Sequence, residues 1–304
     1  MTPSEVKDGI QGLGWFLRRS IDPLTSADFY EHSLGLVRLR QWDVEASTGV
    51  MLWTGFDSVL ETNRLADIQP GEAVAPQDSQ VTPIWRTYDM ADSLARLERG
   101  GTITVKREPT AQGEVAWFDD PLGYPCGLEF VAPNAAEPMH QRNQAAWEKG
   151  PETLPGGLAI RGPVQGIHRL DVRCTALEEE SKLLAALGLE ALNPDQTCFA
   201  LSASTMITLV PTQTHLPAVT EREQVPDSWV MRVYGMAQLQ TRAQNAGRPL
   251  LSQHHFPGGD LDYIVTPSNC VIGWQERKPY DALLPTTQFI EDLAARSAWH
   301  DTKA

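Results

Sequence analysis

The chain contains no apolar run approaching the ~20 residues needed to cross a bilayer, and its start, MTPSEVKDGIQ, carries no apolar signal segment. The expectation is a cytoplasmic protein with no membrane partner. Cysteine is scarce: Cys126, Cys174, Cys198 and Cys270 stand far apart, with no CxxC pair. A disulfide framework and a structural zinc site are therefore not expected, and reduced thiols in a reducing compartment are. Positive charge is also short. The 25 Lys and Arg face 39 Asp and Glu, for a formal charge of -14, and no local basic patch stands out. Nucleic acid and anionic lipid are poor partners for such a chain. No GxGxxG follows a strand, and neither GxxxxGK[ST] nor GxSxG occurs, so nucleotide folds and a hydrolase elbow lack support. The Gly-Gly pairs at 100–101, 156–157 and 258–259 read as turn or helix-stop glycines.

What is present is a repeat. Gly166 to Gly188, GIHRLDVRCTALEEESKLLAALG, reads as a strand (Ile167 to Cys174) running into a helix (Leu177 to Leu187) that a glycine closes. Leu13 to Gly35 follows the same plan. Trp15 to Gly35 and His168 to Gly188 both span 20 residues. With 304 residues and 41% apolar content there is enough chain for two globular domains.

In order, the first unit has a strand at 13–21, a helix within 25–34, and strands at Leu36–Trp42, Val50–Phe56 and Ser58–Thr62. The second has a strand at Val81–Tyr88, the helix DMADSLARLERGG, and strands at Ile103–Arg107, Glu114–Phe118 and Leu128–Val131. Residues 133–163 read as a Pro- and Gly-rich linker holding a short helix near Met139–Glu148. A third unit runs from Gly166 to near Val210, and a fourth from Ser228 to near Gln275 with its helix at Met236–Ala246. Thr286–Ala298 reads as an amphipathic tail helix. The fold class is α+β: four βαβββ modules.

Three phrases in register, DFYEHSLGL (28–36), FDDPLGYPCGLEF (118–130) and YIVTPSNCVIGWQ (263–275), together with the modules, resemble the vicinal oxygen chelate superfamily. That group includes glyoxalase I, bleomycin-resistance proteins and type I extradiol dioxygenases. The two-domain length looks most like the last. The resemblance implies two paired-module domains with cupped mixed sheets. An N-terminal domain would span 10–132, the linker 133–163, a C-terminal domain 164–276, and the tail 277–304. It also implies a small-molecule ligand and, where a metal is used, iron or manganese held by two histidines and a carboxylate with positions left open to substrate.

Position by position, His168 matches the first-strand histidine of the C-terminal pair, although the phrase VRC would also allow a register two residues later. Ser228 stands where the second histidine belongs, and Gly273 where the carboxylate belongs. His254 and Tyr263 precede Gly273 by 19 and 10 residues, which resembles the substrate-binding histidine and tyrosine of the dioxygenases. Such a pair could serve as acid, base or hydrogen-bond donor. Alternatively Tyr263 is an ordinary strand residue and His254 and His255 face solvent, since alternation sends only one of them inward. In the N-terminal pair, Glu61 and Glu129 match last-strand carboxylates of glyoxalase-like sites, opposite Trp15 and Thr82. They could hold a hard cation with waters, or pair outward with Arg64 or Arg86.

Trp15, Trp53, Trp85 and Trp117 fall on strands of the first two modules. Trp229 and Trp274 flank Ser228 and Gly273 and should point away from the cup if those two point in. The expectation is a glyoxalase- or dioxygenase-like protein that binds a small aromatic or oxygenated molecule in the C-terminal cup. Its metal triad would be incomplete, and the cofactor is left open between none and a divalent metal, iron or manganese. The alternative is an active ring-cleavage dioxygenase or another enzyme of that superfamily using a divalent metal. A sheet edge or the tail helix leaves room for a homodimer.

Overall fold

In the computed structural model the described residues are 9–45, 47–55, 58–65, 75–102, 105–132, 135, 160–202, 204–214, 217–256 and 259–276. The expected helices at 139–148 and 286–298 lie outside them. Four βαβββ modules are present. The first comprises β1 (Gly9–Arg19), α1 (Pro23–Phe29, continuing as a π turn over Tyr30–Leu34), β2 (Val37–Val44), β3 (Ser47–Gly55) and β4 (Ser58–Leu65). The second comprises β5 (Val81–Thr87), α2 (Met90–Arg99), β6 (Lys106–Thr110), β7 (Gly113–Asp119) and β8 (Pro125–Val131). The third comprises β9 (Val164–Cys174), α3 (Leu177–Leu187), β10 (Glu190–Ala191), β11 (Cys198–Ala200) and β12 (Met206–Pro211). The fourth comprises β13 (Asp227–Tyr234), α4 (Met236–Asn245), β14 (Leu250–Phe256), β15 (Gly259–Val265) and β16 (Val271–Glu276).

Local chemistry sets the helix limits. The Asp22 carboxylate accepts from the Thr25 amide at 3.0 Å, and Asp89 from the Asp92 amide at 2.9 Å, so each caps a helix start. Gly35 and Gly188 take φ of 78° and 102°, the left-handed stop read from the sequence.

The sheets do not follow the division into 10–132 and 164–276. One sheet has the order β14-β15-β16-β13-β1-β4-β3-β2 and joins the fourth module to the first. The other has the order β10-β11-β12-β9-β5-β8-β7-β6 and joins the third to the second. The expectation that consecutive modules close a cup is therefore corrected: each cup takes one module from each half of the chain. Within a module the first strand pairs in parallel with the last, as β1 does with β4. Its other edge is left bare, and four such edges are equivalent to the backbone. Side chains must choose among them.

Arg18 makes that choice visible. It faces Asp227 across the antiparallel β1–β13 joint. Its Nε donates to Asp227 Oδ1 at 3.1 Å and its Nη1 to the Tyr30 hydroxyl at 3.2 Å. Its Nη2 reaches the carbonyls of Val81 (3.4 Å) and Pro125 (3.3 Å) in the other sheet. The Ser79 hydroxyl donates to the second oxygen of Asp227. Arg18 is fully buried, so a joint lacking this partner set would strand a charge.

The main core lies on the helix-bearing faces of both sheets. It combines Phe16, Leu60, Trp229 and Trp274 of one sheet with Trp85, Leu128, Leu170 and Val172 of the other, and with Tyr30, Leu97, Leu184 and Leu239. A separate apolar cluster lines the opposite face of the β1–β13 sheet: Trp15, Leu17, Met51, Trp53, Val230 and Tyr263 among others.

Candidate functional site

Strand alternation and register build the concave face of the β1–β13 sheet in rows. One row runs Ser252, Tyr263, Gly273, Val230, Trp15 through successive paired strands. The next runs Val265, Val271, Ser228, Leu17, Glu61, Met51. Arg19 and Asn63 pair in a third. Ser228 and Gly273 thus face the cup, while Trp229 and Trp274 lie in the main core on the other side, as alternation requires. The 3-10 turn Arg222–Gln224 and the flanking Val219 and Val225, together with Ile160, close over this cup.

Gly273 is the informative position. A Cβ built there would meet Tyr263 Cε1 at 2.7 Å, Tyr263 Cδ1 at 2.8 Å and the Asp262 carbonyl at 2.9 Å. The tyrosine ring therefore lies across the glycine and fills the place a side chain would need. His254 meets Tyr263 edge to face at 6.1 Å, and the Arg222 guanidinium stands 5.1 Å from the same ring. His255 points outward and bonds Asp260 at 2.8 Å, so only one imidazole of the pair turns in. Burial pushes the Tyr263 phenol up to about 12, so near neutral pH it is a hydrogen-bond donor and not a base. Burial, and then Arg222, hold His254 below its ordinary value, so it is mostly neutral there.

The acid in this cup is Glu61, which accepts from Asn63 Nδ2 at 2.7 Å. Arg19 Nη1 donates to the other end of Asn63, its Oδ1, at 3.3 Å. Burial raises the Glu61 carboxyl above its usual range, while Asn63, Arg19 and Arg222 oppose that rise. Arg222 Nε donates to Glu223, which also lies 4.0 Å from Arg19. Arg19, Arg222 and Asn63 are not singled out by any motif or spacing. A usable signal existed only for the first: consecutive arginines inside an apolar strand must send one guanidinium to each face.

His168 lies elsewhere, on the other sheet. It sits at a β-bulge, where Trp85 pairs with Ile167 and Ile84 with Arg169. The ladder bonds lost at the bulge are replaced by side chains. The Ile167 amide donates to Ser58 Oγ at 3.2 Å, and Thr205 Oγ1 donates to the Ile167 carbonyl at 2.7 Å. His168 Nε2 is 3.7 Å from Glu129 Oε2. Arg169 donates to that same oxygen at 2.6 Å and to Asp171 at 2.9 Å.

The structure thus brings His254, Tyr263, Ser228 and Glu61 to one cup and His168 and Glu129 to the other. The expectation that His168 shares a cup with Ser228 is corrected, because their modules belong to different sheets. The same reason separates Glu61 from Glu129. Both carboxylates are buried.

Tyr263 occupies the space above Gly273, and Arg169 holds the Glu129 oxygen that lies 3.7 Å from His168. Among the described residues no three His, Cys, Asp or Glu side chains gather in a metal-binding group.

A scan against protein-family models and a search of curated proteins give no match. Among solved structures, a candidate dioxygenase from Bacillus subtilis subsp. subtilis str. 168 superposes with a TM-score of 0.64 at 13% identity, over 98% of this chain and 96% of that one. Glyoxalase I from Zea mays gives 0.60 at 16% identity, over 95% and 96%. At these identities the likeness is one of fold: the chain shares the fold of those two structures.

Proposed function

We propose that the chain binds a small aromatic or oxygenated molecule, without a metal, in the concave face of the β1–β13 sheet. The observation that carries this is the second apolar cluster, set apart from the main core and walled by Trp15, Met51 and Tyr263. A wall of aromatic and apolar side chains with a few convergent polar groups is the usual make-up of a small-molecule site. The packing of Tyr263 over Gly273 supports binding over metal-dependent ring cleavage, since a carboxylate ligand at 273 would have to displace the ring.

His254 and Tyr263 lie together and are proposed to hydrogen-bond a ligand oxygen, and Ser228 to line the floor. His168, Glu129 and Arg169 are proposed to be a structural cluster. Free thiols at Cys126, Cys174, Cys198 and Cys270 accord with a reducing compartment. No helix among the described residues is long and apolar enough to cross a membrane.

The test is metal analysis of the purified protein, followed by thermal-shift and calorimetric titration with a panel of mono- and bicyclic aromatics. Binding without stoichiometric metal is expected. Stoichiometric iron or manganese, with oxygen uptake on catechols, would replace this proposal with the dioxygenase alternative.

A further inference from the structure

The wall of this cup is short of hydrogen-bond acceptors. Arg19 is 3% exposed and Trp15 7%, both on the cup face of β1. Arg19 Nε and Trp15 Nε1 are buried N–H donors with no hydrogen-bond partner. Ser252 Oγ, in the Tyr263 row, is buried without one as well. Buried donors of this kind are costly to leave unmade, and an unpaired N–H on a guanidinium is the costliest. Burial, and then the neighbouring Arg222, already lower the pKa of Arg19, which means its positive charge is poorly compensated where it stands.

Charge gives the same answer. The cup holds Arg19 and, from the connector, Arg222, with Glu61 and Glu223 beside them among the described residues. Two guanidinium groups thus share one recess of a chain with a formal charge of -14. A chain this acidic repels anions in general, so a cation-lined recess inside it is a selective device.

Resting on the binding site proposed above, we infer that its ligand is an aromatic organic anion. A carboxylate, or an equally acceptor-rich oxygen pair, meets Arg19 and displaces Glu223 from it, and a flat ring system extends toward Trp15. Arg19 and Trp15 are four residues apart on one strand, about 13 Å between Cα atoms at the usual strand rise. Two fused rings carrying the anionic group fill most of that span. Planar, bidentate recognition of a carboxylate is what a guanidinium does best.

The experiment compares 2-naphthoate with 2-naphthamide, equal in shape and different in charge, on the full chain by tryptophan quenching and calorimetry at pH 7.5. Naphthoate should bind at least about tenfold more tightly, the factor one charge-assisted hydrogen bond supplies. Arg19→Gln should remove the preference for naphthoate over the amide. Arg222→Met lies on a connector and does not threaten the fold. It should cut the preference about threefold, while Glu223→Gln should raise naphthoate affinity. Equal binding of the two probes, or an undiminished preference in folded Arg222→Met, overturns the anion assignment and leaves aromatic binding standing. If neither probe binds, the proposed site and the anion assignment fall together.

Discussion

The two sheets share one strand plan, yet their concave faces are finished in different ways. Around β5 and β9 lies an ion cluster: Arg169 bridges Glu129 and Asp171, and His168 stands 3.7 Å from the same carboxylate. Around β1 and β13 an aromatic wall replaces that cluster, and Arg19 Nε and Trp15 Nε1 are left without acceptors. A closed ion cluster contributes order and leaves nothing for a guest. An apolar wall with unmade hydrogen bonds loses free energy until something supplies them. On the proposed function, the same scaffold carries one cup built as structure and one built as a site.

The largest expected effect tests the joint that makes this pairing of modules. Arg18→Met should strand Asp227 as a buried charge and cost about 3–5 kcal/mol, read by urea unfolding. A loss below about 1 kcal/mol would mean the joint is chosen by other contacts.

Next, Gly273→Ala asks whether the cup has room where the sequence resemblance places a ligand. The added Cβ must push the Tyr263 ring, and overpacking of this kind costs about 1–3 kcal/mol. Binding of an aromatic probe should weaken in parallel. A neutral substitution would show that the ring moves freely and that the space is available.

His168→Ala separates the two cups directly. It should lower stability by about 1–2 kcal/mol, the range for losing buried polar contacts, and leave ligand affinity at the other sheet unchanged. Weakened binding with intact stability would move the site to the β5–β9 sheet.

The smallest effect concerns Glu61. Burial raises its folded-state value, so the protonated form is the one the fold favours. That contribution is complete below the unfolded-state pKa and is lost as pH rises through the folded one. Glu61→Gln keeps an acceptor for Asn63 and never ionises. It should melt higher than the parent at pH 7.5, with the advantage shrinking toward pH 4. A gap that is constant with pH would mean that Glu61 is not held against its charge.

Much of this was legible beforehand. The helix-stop glycines Gly35 and Gly188, the strand-to-helix spacing repeated from Trp15 and His168, and the outward turn of Trp229 and Trp274 all follow from local rules of period and backbone sterics. The site was only half legible. His254 and Tyr263 could be picked out by spacing, but Arg222 sits in a connector with no period to betray it. Arg19 is one of two adjacent arginines whose faces alternation distinguishes without saying which face is the cup.

Sequence by itself determined the four modules and which residues of a regular strand share a face, because those depend on neighbours a few positions away. Which module stands beside which was decided only in three dimensions. Four bare first-strand edges offer the same backbone bonds. The choice among them rests on a buried arginine finding acceptors from β13, β5 and β8 at once, a condition no local stretch of chain can express.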